Sequence, residues 1–305
     1  MAEKQYVWHL GFKTKLNPTP EQAHYFACAC GVARFSYNWG LDQWKKQYQA
    51  HKANPEKEPL PNECALRRQL NKIKRKEFPW MLEVTKCAPQ FGIKQLGMAF
   101  ANFFRNPKHF GYPKYKRKFR DDSFTISNDQ FKLEDSRIHI PKLGWVRMCE
   151  PLRFENAKVL SAVISRQADS WYVSLTCELT DLSHLIPAKN QGRIGIDLGI
   201  NKLATLSNGL EFEAPKPLKR LLGKLRKKQK KCSVPGSKNK CKLAKEVARL
   251  HQRIANIRRD ALHKLTTFIA ANYSEVVIED LNVKGMMANH CLARAIADIG
   301  NGDRK

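Results

Sequence analysis

The sequence predicts an α+β protein of more than one domain, and three observations carry that prediction. Its 305 residues are enough for a sizeable core and usually mean two domains. The apolar period shifts along the chain, from a helical repeat to an alternation of two over residues 123–178. In the C-terminal part, two short apolar runs each end on a carboxylate, Asp197 and Glu279, with a long basic helical stretch between them.

Charge points to the partner. Lys and Arg total 55 against 28 Asp and Glu, a formal net charge of +27. That is far beyond what solubility requires and implies a polyanion, with nucleic acid the leading class. A ribosomal-type RNA-binding protein or a membrane-surface binder would look similar. No apolar run approaches the roughly 20 residues of a membrane span. Met1–Asn17 lacks a signal-peptide core, so a cytoplasmic protein is expected. The nine cysteines include no Cys-x-x-Cys pair. They are expected to be reduced, and zinc is not expected.

Taken in order, Gln5–Leu16 mixes aromatic and basic residues and reads as a strand. Thr19 can N-cap the next helix, Pro20 suits its first turn and Gln22 completes a capping box. Helical composition runs to about Ala50, and Phe35 and Trp39, four apart, are expected in its core face. The prolines of Asn54–Pro61 mark a loop. Cys64–Phe78 reads as a second helix whose basic face (Arg67, Arg68, Lys72) has few acids to pair, so phosphate contact is expected. A third helix, Pro89–Phe104, buries Leu96, Phe100, Phe103 and Phe104 and presents Gln90 and Lys94 on its polar side. In Asn106–Asp122, Tyr112 and Tyr115 are interleaved with Lys114, Lys116, Arg117 and Lys118. Glycine and proline there argue for an extended loop, with aromatics for stacking on bases and cations for phosphates. Short strands follow at Phe124–Ser127, Phe131–Leu133, Arg137–Ile140, Trp145–Met148, Val159–Ser165 and Trp171–Cys177. Their regular spacing suggests a small barrel.

After a linker at Asp181–Gln191, Gly192–Ser207 reads GRIGIDLGINKLATLS. Ile194, Ile196, Leu198 and Ile200 alternate with Gly195, Asp197 and Gly199, so Asp197 falls on the face opposite the isoleucines. An acid in mid-strand is costly to bury unless it is paired or holds a metal. A second strand, Leu203–Ser207, leads to a turn at Asn208-Gly209. Lys216–Lys264 reads as a basic helical hairpin broken at Ser233–Gly236. Lys227, Lys228, Lys230 and Lys231 lie on its first arm, facing nucleic acid. An apolar stripe from Leu243 to Phe268 marks the second. In Glu275–Leu281, Val276, Val277 and Ile278 lead into Glu279. Two strands that each deliver a carboxylate suggest a hard cation, Mg²⁺ or Mn²⁺.

The stretches GIDLGINKLATLSNG and VVIEDLNVKGMM resemble the first two motifs of the RuvC-like, ribonuclease H-fold nuclease domain of the OrfB/TnpB proteins. Those are transposon-encoded, RNA-guided DNA nucleases related to type V CRISPR effectors. ARFSYNWGL at Ala33–Leu41, RIHIPKLGWVR and SWYVSLTCEL extend the resemblance over nearly the whole chain. It implies a wedge-type barrel, with strands at about 5–16 and 123–178 and a helical bundle inserted at about 17–122, forming a nucleic-acid-binding lobe over residues 1–182. An incomplete RuvC-like domain over 183–305 is implied to follow. It also implies Asp197 and Glu279 as catalytic metal ligands, and a third helix in the region that reads a short target-adjacent DNA motif. The implied partners are a guide RNA and a double-stranded DNA target, and the implied reaction is phosphodiester hydrolysis in a bacterial or archaeal, nucleoid-associated setting.

The resemblance stops in the stretch that follows Met287. The family continues with a helix, a four-cysteine zinc ribbon and a third catalytic carboxylate. Here Asp298 and Asp303 are the acids that remain, and Asp298 is expected to be a helix or surface residue. Two carboxylates can hold one Mg²⁺ completed by water, whereas two-ion hydrolysis asks for more ligands. The alternative expectation is therefore a catalytically impaired RNA- and DNA-binding protein that occupies a target without cutting. Exposed apolar surface is expected on the Leu203 side of the sheet.

Overall fold

A computed structural model describes residues 6–120, 122–181, 191–234, 239–289 and 293–299. The chain divides into two compact units, Met1–Thr180 and Asp181–Lys305. Among the described residues, no helix is long and apolar enough to cross a membrane.

In the first unit, β1 (Trp8–Asn17) leads into α1 (Pro20–Ala53). The expected capping box forms: Thr19 N–H donates to Gln22 Oε1 at 3.0 Å, and Gln22 N–H to Thr19 Oγ1 at 3.2 Å. Then come α2 (Glu63–Glu77), a 3-10 turn (Pro79–Glu83), α3 (Cys87–Arg105) and the single turn α4 (Pro107–Phe110). Six strands follow: β2 (Ser123–Ser127), β3 (Lys132–Glu134), β4 (Arg137–Ile140), β5 (Gly144–Met148), β6 (Lys158–Gln167) and β7 (Ser170–Leu179). They join β1 in an antiparallel sheet of order β2-β6-β7-β1-β5-β4-β3. β1 sits near its middle, pairing with β7 from Trp8 to Leu16 and with β5 at Leu16 and Asn17.

This sheet is open, in place of the expected closed barrel, since the end strands β2 and β3 are not neighbours. Helices cover the apolar side that closure would have covered. Phe26 of α1 packs on Phe124 of β2 and Trp171 of β7, with ring centroids 6.0 and 5.2 Å apart. The Cys87 thiol of α3 lies 3.4 Å from the Ser127 hydroxyl. Tyr25 ties the helices to the strands. Its hydroxyl accepts the Thr85 N–H and donates to the Pro141 carbonyl, both at 2.9 Å. Burial pushes this phenol up to about 12.

Helix α1 packs closely on α3. Trp44 stacks on Phe100 at 4.1 Å. Gly92 is required there, because a Cβ would stand 2.5 Å from the Ala33 carbonyl oxygen. This crossing buries Tyr37, Leu41 and Trp44. Phe35 and Trp39 fall on a neighbouring stripe of the helix and are only half-buried, contrary to the core placement expected for them. On α3, Leu96 and Phe100 are buried as expected, but Phe104 is 65% exposed, contrary to the burial expected for it.

In the second unit, β8 (Arg193–Asp197), β9 (Lys202–Leu206) and the short β10 (Glu211–Glu213) precede α5 (Pro217–Cys232) and α6 (Lys240–Asn272). β11 (Glu275–Ile278), α7 (Val283–Ala288) and α8 (Ala293–Ile299) follow. The sheet order is β10-β9-β8-β11, antiparallel except that β11 runs parallel to β8. The C-terminal half of α6 (Leu265, Ile269, with Tyr273 just beyond) covers Ile194, Ile196, Leu203 and Leu206. Its N-terminal half packs on α5 through Leu225, Leu250 and Ile254. The predicted hairpin break at Pro235 and Gly236 lies outside the described residues.

Leu203 itself is 3% exposed, so the exposed apolar surface expected on its side does not lie at Leu203. The exposure is on β11 instead, where Val276, Val277 and Ile278 are 41, 50 and 56% exposed. β11 is also an edge strand of this sheet among the described residues. Asp298 lies in helix α8, one of the two placements expected for it, but it is 4% exposed and not a surface residue. Its two carboxylate oxygens accept the N–H groups of Leu218 and Lys219 at 2.7 and 2.8 Å. Arg258 Nε donates to its carbonyl at 2.8 Å and Nη2 lies 3.4 Å from Oδ1. The residue before α5, Lys216, has φ +41° and no side-chain oxygen for capping. A residue from α8 therefore caps α5 across the fold.

Replacing Tyr25 with Phe leaves the Thr85 N–H without its acceptor. It is expected to cost about 1–3 kcal/mol, read as a lower urea midpoint for the full chain. Asp298→Ala removes a helix cap and is expected to cost about 1–2 kcal/mol in the same measurement, with Asp298→Asn milder.

Candidate functional site

The pairing of β8 with β11 aligns Ile194 with Val276, Gly195 with Val277 and Ile196 with Ile278. Asp197 is the next residue on one strand and Glu279 follows directly on the other. Neighbouring strands lie about 4.8 Å apart, and paired positions face the same way. Ile194 and Ile196 point into the α6 core, so Asp197 emerges on the opposite face, and Glu279 follows the last paired residue of β11. Both residues are exposed, and neither forms an ion pair or side-chain hydrogen bond with a described residue. Two unpaired, water-accessible carboxylates at adjacent strand ends suit a hard divalent ion that keeps several waters. No third His, Cys, Asp or Glu among the described residues joins them in a metal-binding group.

The predicted basic residues separate into free and committed ones. On α2, Arg68 and Lys72 are exposed, while Arg67 is half-buried and lies 3.6 Å from Glu63. On α3, Gln90 and Lys94 are exposed one turn apart, and the Lys94 ammonium lies 5.4 Å from the centre of the Phe91 ring. On α5, Lys227, Lys230 and Lys231 are exposed, whereas Lys228 pairs with Glu246 of α6.

The aromatic and basic loop is strapped to the helices rather than loose. Asn38 of α1 makes a two-way contact with Lys116: Asn38 Nδ2 donates to its carbonyl at 3.0 Å and Oδ1 accepts its N–H at 2.9 Å. The Lys116 ammonium reaches Gln95 and lies 4.6 Å from the centre of the Tyr37 ring. The Tyr115 hydroxyl donates to Asp42 and accepts from Lys45 at 3.1 Å, a bond that raises the Lys45 pKa. Asp122 closes the strap on Arg34 at 3.2 Å. Tyr112 packs edge-on against Phe100 and Phe103 at 5.5 Å. Lys114, Arg117 and Lys118 remain exposed. Lys116 and the Tyr115 hydroxyl thus hold the strap in place, and the other three cations face solvent. Arg34, Asn38 and Asp42, the anchors, were not expected as site residues. Their spacing of four on one helix face was the available signal.

Comparison with known proteins adds a family. Residues 174–290 match the OrfB_IS605 family model, described as a probable transposase. Residues 8–53 match a model described as a helix-turn-helix domain. In this structure the latter residues form β1 and the unbroken 34-residue α1. The chain is 32% identical over 283 residues to InsQ of Escherichia coli K12, named as a candidate RNA-guided DNA endonuclease; the match covers 90% of this chain and 67% of that one. It is 34% identical over 295 residues to a Streptomyces pristinaespiralis protein of the same designation, covering 94% of this chain and 70% of that one. A similarly named Mycobacterium tuberculosis protein is 28% identical, with 94 and 69% covered. The chain thus spans about two thirds of the length of these relatives.

The strap makes its own prediction. Asn38→Ala removes both bonds to the Lys116 backbone and is expected to speed tryptic cleavage at Lys114–Arg120 several-fold, followed by mass spectrometry of the native chain; unchanged cleavage would mean that the other anchors suffice.

Proposed function

The chain belongs to the OrfB_IS605 transposase family, and from that premise we propose that it is a transposon-associated, RNA-guided DNA endonuclease. The observation that carries the reading is the β8–β11 register, which supports it by bringing together the two strand ends that carry Asp197 and Glu279. The sheet supports it as well: three antiparallel strands with a fourth added in parallel is the arrangement expected of a RuvC-like, ribonuclease H-type domain. In this reading residues 183–305 belong to the nuclease domain. Residues 1–182 form the nucleic-acid-binding lobe, in which the open sheet stands for the wedge and α1–α4 for the insertion.

Asp197 and Glu279 would hold Mg²⁺ or Mn²⁺. When bound, the ion would supply Lewis-acid polarisation of the scissile phosphate and an acidified water. The protein's share is to hold the two carboxylates in register, present them to solvent and keep them free of competing cations. The exposed cations of α2, the strap and α5 would neutralise phosphates of guide RNA and target DNA. Gln90 and Lys94 would face the short target-adjacent motif, while base pairing with the guide selects the sequence. The setting would be the cytoplasm, at the nucleoid.

A second reading has its own observation. No third metal-binding side chain joins the pair among the described residues. With two protein carboxylates, the chain could grip guide and target and occupy the site without cutting.

The test uses purified chain, guide RNA, Mg²⁺ and a matched duplex. Cleavage by the wild type that falls at least a hundredfold in Asp197→Ala is the expected result. Guide-dependent binding without cleavage would favour the second reading, and equal cleavage by both proteins would refute the metal assignment. Binding should weaken steeply with salt, and each exposed cation replaced by Ala should lower the log–log salt slope by about one.

A further inference from the structure

Phe35 and Trp39, displaced from the core, line an open cavity of about 480 Å³ together with Arg34, Asn38, Asp42 and Trp80. All but Trp80 recur at three and four on one face of α1. The Phe35 and Trp80 rings meet edge to face, 5.1 Å apart at 83°, and Phe78 braces Phe35 at 4.9 Å. One wall is therefore a fixed aromatic cluster, and Trp80 is still 39% exposed.

The polar side chains of the cavity are already engaged. Arg34 holds Asp122, Asn38 holds the Lys116 backbone and Asp42 holds the Tyr115 hydroxyl. All three partners belong to the strap, so the strap runs beside the cavity and carries exposed Lys114, Arg117 and Lys118 along with it. A cavity with aromatic walls and internally satisfied polar groups recognises a flat, largely uncharged ring. The cations beside it attract a polyanion. A nucleobase joined to its phosphates has both properties, and base–aromatic stacking beside a cationic track is the general physics of single-strand binding. Bases inside a duplex are already stacked and paired, so the occupant must come from an unpaired stretch.

We propose that this cavity takes one unstacked base of a single-stranded nucleic-acid segment whose phosphates lie along the strap. The proposal rests on the nucleic-acid reading above and adds a base contact where that reading supplies phosphate neutralisation.

The experiment compares a 12-nucleotide single-stranded RNA with an abasic strand of equal length, at one salt concentration, using the full chain. The wild type is expected to prefer the base-bearing strand. Trp39→Ala and Trp80→Ala should each bind that strand about tenfold more weakly, as loss of one stacked base implies. They should match the wild type on the abasic strand and keep its salt slope, and Trp80→Phe should recover most of the loss. Equal wild-type affinity for both strands overturns the proposal without reference to any variant. Variants as tight as the wild type on the base-bearing strand, or equally weakened on both strands, also overturn it. In each of those cases the nucleic-acid reading stands. Failure of the wild type to bind either strand at low salt overturns both.

Discussion

Ile196 and Ile278 share a rung of a parallel ladder, and that rung decides where Asp197 and Glu279 fall. Side chains alternate along a strand, so a slip of one residue would turn every side chain of β11 to the other face and separate the carboxylates. The register is held from one side. Ile194, Ile196 and Leu206 are buried against α6, and Tyr273, at the end of that helix, feeds the chain directly into β11. A bond from the Ser274 N–H to the Gly192 carbonyl at 3.1 Å starts the pairing. The two strand ends that carry the acids therefore owe their alignment to apolar burial on one face of the sheet.

The first unit handles its charge differently. Its strap would be a floppy cationic segment if composition alone decided. Instead it spends Lys116 and the Tyr115 hydroxyl on anchoring. Fixing the backbone this way means that a bound strand need not meet the entropic cost of ordering the loop. The cations left over are then presented along a set path, beside a cavity with stiff walls.

Much of this was legible from local pattern. The Thr19–Gln22 box, the alternation of β7 and the apolar stripe of α6 depend on neighbours a few residues away, and they formed as expected. What was not legible involves distance along the chain. The openness of the large sheet depends on helices covering its apolar side. The displacement of Phe35 and Trp39 depends on which stripe of α1 meets Gly92. The three-residue β10 is too short to announce itself. Asp298 carries no local signal at all, since its hydrogen-bond partners lie 80 and 79 residues upstream.

That last contact has an electrical consequence. The leading amides of a helix form a small positive pole, a natural seat for an anion. At α5 the seat is taken, because both oxygens of Asp298 sit on it and Arg258 keeps the carboxylate in place. The most lysine-rich helix of the chain therefore has no backbone grip to offer a passing polyanion. In the proposed reading it would act through its exposed ammonium groups, Lys227, Lys230 and Lys231, at longer range and without preferred direction. In that reading such a surface would guide and retain a strand while leaving it free to slide lengthwise.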